Sequence, residues 1–96
     1  MSILNRVEPG RFRWDSANID HIARHNLEPE DVEEALLDLN GINAPAYNAG
    51  SERRYGFIGA TETGRILYVL YTERSGELRV VTARDTDASQ KRRYRR

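Results

Sequence analysis

The chain has 96 residues, 15 basic and 15 acidic side chains, a formal net charge of zero, 39% hydrophobic residues and no cysteine. One domain over 1–96 is the expectation from that length, and the missing cysteines exclude a disulfide framework or a thiolate metal site and fit a reducing, cytoplasmic setting. The N-terminus lacks the apolar run of a signal peptide and no stretch approaches the ~18 apolar residues of a membrane span, so no membrane partner is expected.

In chain order, residues 1–11 carry no pattern, and Pro9-Gly10 reads as a turn or loose N-terminal segment. Phe12-Arg13-Trp14 alternates like a short strand. Asp15 or Ser16 then offers an N-cap for a helix whose Ile19, Ile22 and Ala23 fall at helical spacing. His25 ends that helix, and Asn26 suits the left-handed closing position. A second helix begins at Pro29 with Glu28 as its cap. Leu27 and Val32 form a hydrophobic staple, and Val32, Ala35, Leu36 and Leu39 make the apolar stripe. Asn40-Gly41 ends it, and Ile42 to Ser51, with Pro45 and Gly50, reads as a loop.

Sheet follows. Glu52 to Gly59 is the first strand, and Thr61 to Gly64 a turn. Arg65 to Glu73 is a central strand with Ile66, Tyr68 and Leu70 on one face and Leu67, Val69 and Tyr71 on the other. A turn around Arg74-Ser75-Gly76 leads to Leu78 to Arg84 in an antiparallel hairpin. Asp87 with Gln90 resembles a capping pair opening a short basic helix from Ala88 to Arg96. The expected class is α+β: two N-terminal helices, a three- to four-stranded antiparallel sheet and a short C-terminal helix.

Zero net charge hides two asymmetries. Fourteen of the 15 bases are arginine, with Lys91 the sole lysine; Glu28 to Asp38 holds six acids and no base, whereas Arg84 to Arg96 holds six bases against Asp85 and Asp87. Arginine presents a planar fork that grips phosphate in two places. Arg53, Arg54, Arg65, Arg74, Arg79 and Arg84 fall at strand ends and turns, where an antiparallel meander could bring Arg65 beside Arg53 or Arg84. Guanidinium groups repel unless a polyanion lies among them, so convergence would mark a phosphate site; scattered solvent-facing arginines are the plainer account.

His21 and His25 are spaced i, i+4, close enough to share a metal, but no third ligand is evident and His25 equally suits a helix C-terminus. Tyr94, among Arg92, Arg93, Arg95 and Arg96, could transfer a proton, stack on a base, or pack its helix onto the sheet. Glu52 could fix the geometry of neighbouring arginines. No Walker loop, G-x-S-x-G or H-E-x-x-H motif is present.

Taken together, Phe12-Arg13-Trp14-Asp15, Ala23-Arg24-His25-Asn26 and Pro29-Glu30-Asp31-Val32-Glu33-Glu34-Ala35 resemble the opening of BrnT-type toxins, which reads F-x-W-D, then K-H-G, then a segment ending E-E-A. Glu52-Arg53, Gly59 with Gly64-Arg65, Thr82-Ala83-Arg84 and Arg92-Arg93-Tyr94 follow in the same order. Arg24 and Asn26 replace the family's lysine and glycine, and Gln90 stands at a common glutamate position. The resemblance implies a RelE-like fold and an endoribonuclease toxin of a type II toxin–antitoxin module that needs no metal or other cofactor. The RNA 2′-hydroxyl would attack the adjacent phosphate. Arg53, Arg65 and Arg84 would stabilise the phosphate, Tyr94, His25 or Glu52 would handle protons, and Arg54, Lys91, Arg92 and Arg93 would bind RNA. A tyrosine base would need nearby positive charge to lower its pKa. The implied partners are RNA, a cognate antitoxin and, for the complex only, operator DNA. Asp85 and Asp87 place negative charge next to that site, which leaves a degenerate toxin, a non-enzymatic nucleic-acid or partner-binding module, as the alternative. A third reading docks the acidic second helix onto a basic partner.

Overall fold

The computed structural model describes residues 11–95, so the Pro9-Gly10 turn and Arg96 lie outside the described residues. Phe12–Arg13 forms β1, Ser16–Ala23 α1, Pro29–Leu36 α2, Ile42–Ala44 β2, Tyr55–Ala60 β3, Ile66–Arg74 β4, Glu77–Asp85 β5 and Ala88–Tyr94 α3. One five-stranded sheet runs β1-β5-β4-β3-β2, antiparallel except that β1 lies parallel to β5. Sequence reasoning expected three or four antiparallel strands. The fourth antiparallel strand came from the presumed loop, because Ile42 and Ala44 face the sheet. The fifth came from Phe12–Arg13, whose partner is 66 positions away (Phe12↔Leu78) and invisible to local pattern. The strand expected at Glu52 begins at Tyr55; Glu52 instead makes an isolated bridge with Ala49.

Local chemistry explains the helices. Asp15 accepts from Asn18 N–H at 3.1 Å while Asn18 Oδ1 accepts from Asp15 N–H at 2.8 Å, a reciprocal cap. Asn18 is buried, and its amide donates to the carbonyls of Arg13 and Val80, bolting α1 to the β1–β5 seam. Asn26 closes the turn after α1 at φ 58°. Glu28 N–H donates to Asp31, and the staple pair Leu27 and Val32 is buried. Leu39, expected on the α2 stripe, is fully exposed because α2 stops at Leu36. α2 lies so close to β3 that a Cβ on Gly59 would stand 2.0 Å from the Ala35 carbonyl oxygen, so only glycine fits there.

β4 is two-sided as its alternation required. Leu67, Val69 and Tyr71 join Ile22, Val32 and Leu36 in the core under α1 and α2. Ile66, Tyr68 and Leu70 join Ile58 on the other face, which Ile42, Val81 and Tyr94 help to cover. β5 carries a bulge: Tyr71 pairs with Val80 and Leu70 with Thr82, leaving Val81 extra.

The terminal helix α3 is capped by Asp87, which accepts from Gln90 N–H at 2.8 Å. Tyr94 anchors its far end by donating to Asp38 Oδ2 at 2.5 Å. The same oxygen accepts from Ala60 N–H, and Oδ1 accepts from Asn40 N–H. Burial works against the Asp38 charge, but these donors outweigh it and hold its pKa low. The Asp38 carboxylate in turn pushes Tyr94 up to about 12. A raised folded-state pKa contributes stability below the unfolded value of ~10 that is lost as pH climbs through the folded one. Denaturant titrations of the native chain should therefore show a loss of stability between about pH 10 and about pH 12 that Tyr94→Phe lacks. At neutral pH the variant should be weaker by about 1 kcal/mol.

Candidate active site

Four elements meet at one end of the sheet: the turn after α1, the start of β4, the end of β5 and the start of α3. Arg65 organises the junction. Its Nε and Nη2 donate to the two Asp85 oxygens at 2.7 and 2.9 Å, while Nη1 and Nη2 donate to the carbonyls of Asn26 and His25 at 2.9 and 2.8 Å. The guanidinium thus ties the negative end of α1 to β5, with four of its five N–H groups engaged. Hydrogen bonds from Arg65 hold the Asp85 carboxyl below its ordinary pKa against the opposing effect of burial, and the charges of Arg65, Lys91 and His25 add to the lowering. Arg65 is raised in turn, first by those bonds. His25 lies two residues beyond α1 rather than on it, so it and His21 do not share one helical face as their spacing suggested.

Arg84 comes to the same end on the opposite face. Its guanidinium lies 4.9 Å from the Tyr68 ring centroid, and Nη1 donates to the Asp85 carbonyl at 3.0 Å and to Gln90 Oε1 at 3.2 Å. Tyr68 is buried, donates to the Pro45 carbonyl at 2.8 Å, and has its pKa raised chiefly by that burial. Asp85 therefore stands between two arginines, holding Arg65 with its carboxylate and Arg84 with its backbone oxygen. Lys91, Arg92, Arg93 and Arg95 line an open hollow along α3, and Arg93 reaches the Asn43 carbonyl at 3.5 Å.

The pocket expected from Arg53, Arg65 and Arg84 together does not form. Arg53 accepts a hydrogen bond at its carbonyl from Thr72 and lays its guanidinium over Tyr55, 5.7 Å from the centroid. Thr72 and Arg65 are seven residues apart along an extended chain, ~23 Å. Glu52 shares Arg53's end of the sheet, accepting from Arg54 at 3.2 Å and Arg74 at 2.7 Å. Arg74 and then Arg54 lower its pKa, so it is an ionised anchor for two guanidinium groups. Tyr94 lies on the Arg84 face but is committed to Asp38, which raises its pKa where a base would need the reverse. Sequence reasoning missed Tyr68 and Asp38. A tyrosine within an alternating strand and an aspartate after a helix carry no signal until the cross-strand register (Tyr68↔Arg84) and the contact with α3 are known.

Among the described residues, no group of three or more His, Cys, Asp or Glu side chains is placed to hold a metal ion, and no helix is long and apolar enough to cross a membrane. A comparison with curated proteins returned no match. A family model described as the ribonuclease toxin BrnT of type II toxin–antitoxin systems matches residues 14–90. That stretch holds β2 to β5, both N-terminal helices, and His25, Arg65, Arg84 and Asp85. With well over half its length matched, the chain belongs to the BrnT family of type II toxin–antitoxin ribonuclease toxins, for which RNA is the substrate class and an antitoxin the partner.

Proposed function

We propose that the protein is a metal-independent endoribonuclease working at the Asp85 end of the sheet. The observation that carries the reading is that Arg65 and the turn of His25 from one face of the sheet and Arg84 from the other both reach Asp85 at the sheet end, where Lys91 also contributes positive charge. In the proposed step the RNA 2′-oxygen forms a bond to the adjacent phosphorus as its proton leaves. The bond from phosphorus to the 5′-oxygen then breaks and that oxygen gains a proton, giving a 2′,3′-cyclic phosphate and a free 5′-hydroxyl. Two needs follow: cations for the charge that builds on the phosphorane, and a group that moves protons.

Arginine serves the first need and not the second, since it keeps its proton. Arg84 donates within the described residues through Nη1 alone, so its Nε and Nη2 edge and the exposed Lys91 are assigned to the phosphate. Arg65, already engaged through four N–H groups, is assigned to positioning His25. Imidazole is the side chain suited to proton transfer near neutrality, and Tyr94 is tied to Asp38, which leaves His25 as the proton-transfer group. Arg92 and Arg93 extend the positive surface along α3 for RNA outside the scissile step, and Arg53, Arg54 and Glu52 lie too far along the sheet to take part in the scissile step itself. The saturation of Arg65 by Asp85 favours, as second reading, a toxin that binds RNA without cutting it.

Purified protein should cut RNA in the presence of a chelator, leave 2′,3′-cyclic phosphate ends, and fail on RNA carrying a single 2′-deoxy sugar at the cut. Intact RNA, or cutting that tolerates the deoxy sugar, refutes the mechanism. His25→Ala should lower the rate roughly 10²- to 10⁴-fold with unchanged melting temperature. Arg84→Ala should lower it roughly 10²- to 10³-fold and also lower the melting temperature modestly, because it loses the Tyr68 ring and two hydrogen bonds while the fold persists. Arrest of bacterial growth on expression should be relieved by the same two changes. Asp85→Asn separates binding from positioning: losing one negative charge should tighten RNA binding at low salt, while the freed Arg65 should slow cleavage.

A further inference from the structure

At the far end of the Arg84 face, Tyr47 is 66% exposed, whereas Tyr68 and Tyr71 are buried and Tyr55 and Tyr94 half-buried. The Arg54 guanidinium backs its ring at 5.9 Å from the centroid. Arg54 is itself held by Glu52, and Glu52 also holds Arg74. The segment carrying Tyr47 is fastened on both sides. Tyr68 donates to the Pro45 carbonyl, Arg54 N–H donates to Asn48 Oδ1, and Ala49 bridges Glu52. An aromatic ring is thus presented to solvent on a fixed backbone with a cation behind it.

Tyr47 lies near Tyr68, whose ring bears Arg84, so a row runs Arg84, Tyr68, Tyr47, Arg54, Glu52, Arg74 along one face. Arg84 pairs with Tyr68, and Arg54 flanks the Tyr55↔Tyr71 pair, which sets the two arginines about four residues, ~13 Å, apart along the strands. One extended strand of a few nucleotides spans that distance. The arginines supply charge for its backbone, and the open face of Tyr47 supplies a surface for a base, the combination that single-stranded nucleic acid uses.

We propose that Tyr47, backed by Arg54, is a stacking subsite for an unpaired base of the RNA a few nucleotides from the scissile phosphate held at Arg84. The inference rests on the ribonuclease reading for the position of the cut, but not for binding. Duplex RNA keeps its bases stacked inside the helix and leaves none for the Tyr47 ring. A protein partner at this face would equally use tyrosine and arginine, but the guanidinium groups of Arg54, Arg74 and Arg84 against the one carboxylate of Glu52 in this row favour a polyanion.

The test uses the full chain and a short single-stranded RNA methylated at its 2′-oxygens, which can bind and cannot be cut, with affinity read by fluorescence anisotropy. Tyr47→Ala should weaken binding roughly tenfold or more, Tyr47→Phe should match the native chain, and binding to a duplex of the same sequence should not change between the three. Melting temperature should be the same for all, since the ring is exposed. Equal affinity of Tyr47→Ala and the native chain for the single strand overturns the inference. So does a Tyr47→Ala defect that appears only with the antitoxin, which would make the face a protein interface. A native chain that binds the single strand through Tyr47 but leaves unmethylated RNA intact upholds the subsite and refutes the ribonuclease reading alone; a native chain that binds no RNA refutes both.

Discussion

Val81 has no partner of its own on β4, because Tyr71 pairs with Val80 and Leu70 with Thr82. Side chains alternate strictly along a strand, so one extra residue reverses the facing of everything beyond it. Before the bulge, Leu78 and Val80 point to α1 and α2; beyond it Ala83 does so, Arg84 turns to Tyr68, and Asp85 turns back to Arg65. A regular ladder would have put Arg84 on the α1 side with Arg65, and Asp85 on the Tyr68 side. Two bare guanidinium groups would then have shared one face. The bulge separates them across the sheet and inserts a carboxylate. Both valines profit, since Val80 fills one core cluster and Val81 packs against the other.

This explains which parts of the structure were legible in the sequence. Features fixed within a few residues came through: the Asp15 and Asp87 caps, the left-handed Asn26, the Leu27–Val32 staple and the two faces of β4. Features fixed by register did not. Nothing in Val80-Val81-Thr82-Ala83 announces which residue is unpaired, so the facing of Arg84 was undetermined. Phe12-Arg13-Trp14 reads as a strand but nothing in it names β5 as partner, and the three residues of β2 between Gly41 and Pro45 are too few to show a period. The separation of Arg53 from Arg65 follows from antiparallel pairing itself: each stands at the start of its strand, and consecutive antiparallel strands start at opposite ends. Of the two approaches expected for Arg65, only the one to Arg84, at the end of β5, was compatible with a meander.

The acidic segment from Glu28 to Asp38 has a structural use that its charge count concealed. Glu33 accepts from the Trp14 indole at 2.7 Å, Glu34 from Glu62 N–H at 2.9 Å and Asp31 from Glu28 N–H at 2.9 Å, while Asp38 gathers Asn40, Ala60 and Tyr94. Four of the segment's six acids thus serve as acceptors: Asp31 caps α2 itself, and Glu33, Glu34 and Asp38 join α2 and the turn after it to Trp14, to the β3–β4 turn and to α3. Charges spent on internal hydrogen bonds are poorly placed to draw in a basic partner, which weakens the reading of α2 as a docking helix.

The same logic separates the two arginines at Asp85. A guanidinium has a fixed set of donors, and each one given to a protein acceptor is withdrawn from a ligand. Arg65 gives two to Asp85 and one each to two carbonyls at the end of α1, so its removal would loosen the attachment of that turn before it altered any ligand contact. Arg84 gives Nη1 to acceptors on either side of the Asp85–Gln90 turn and rests on a buried ring, which fixes its direction while leaving an edge of the fork open. A cation that is oriented but not saturated can meet an incoming phosphate without first breaking a bond. By that criterion Arg65 is the frame of the proposed site and Arg84 the cation with donors to spare, and the bulge at Val81 is what allows one strand to supply both the partner of the first and the whole of the second.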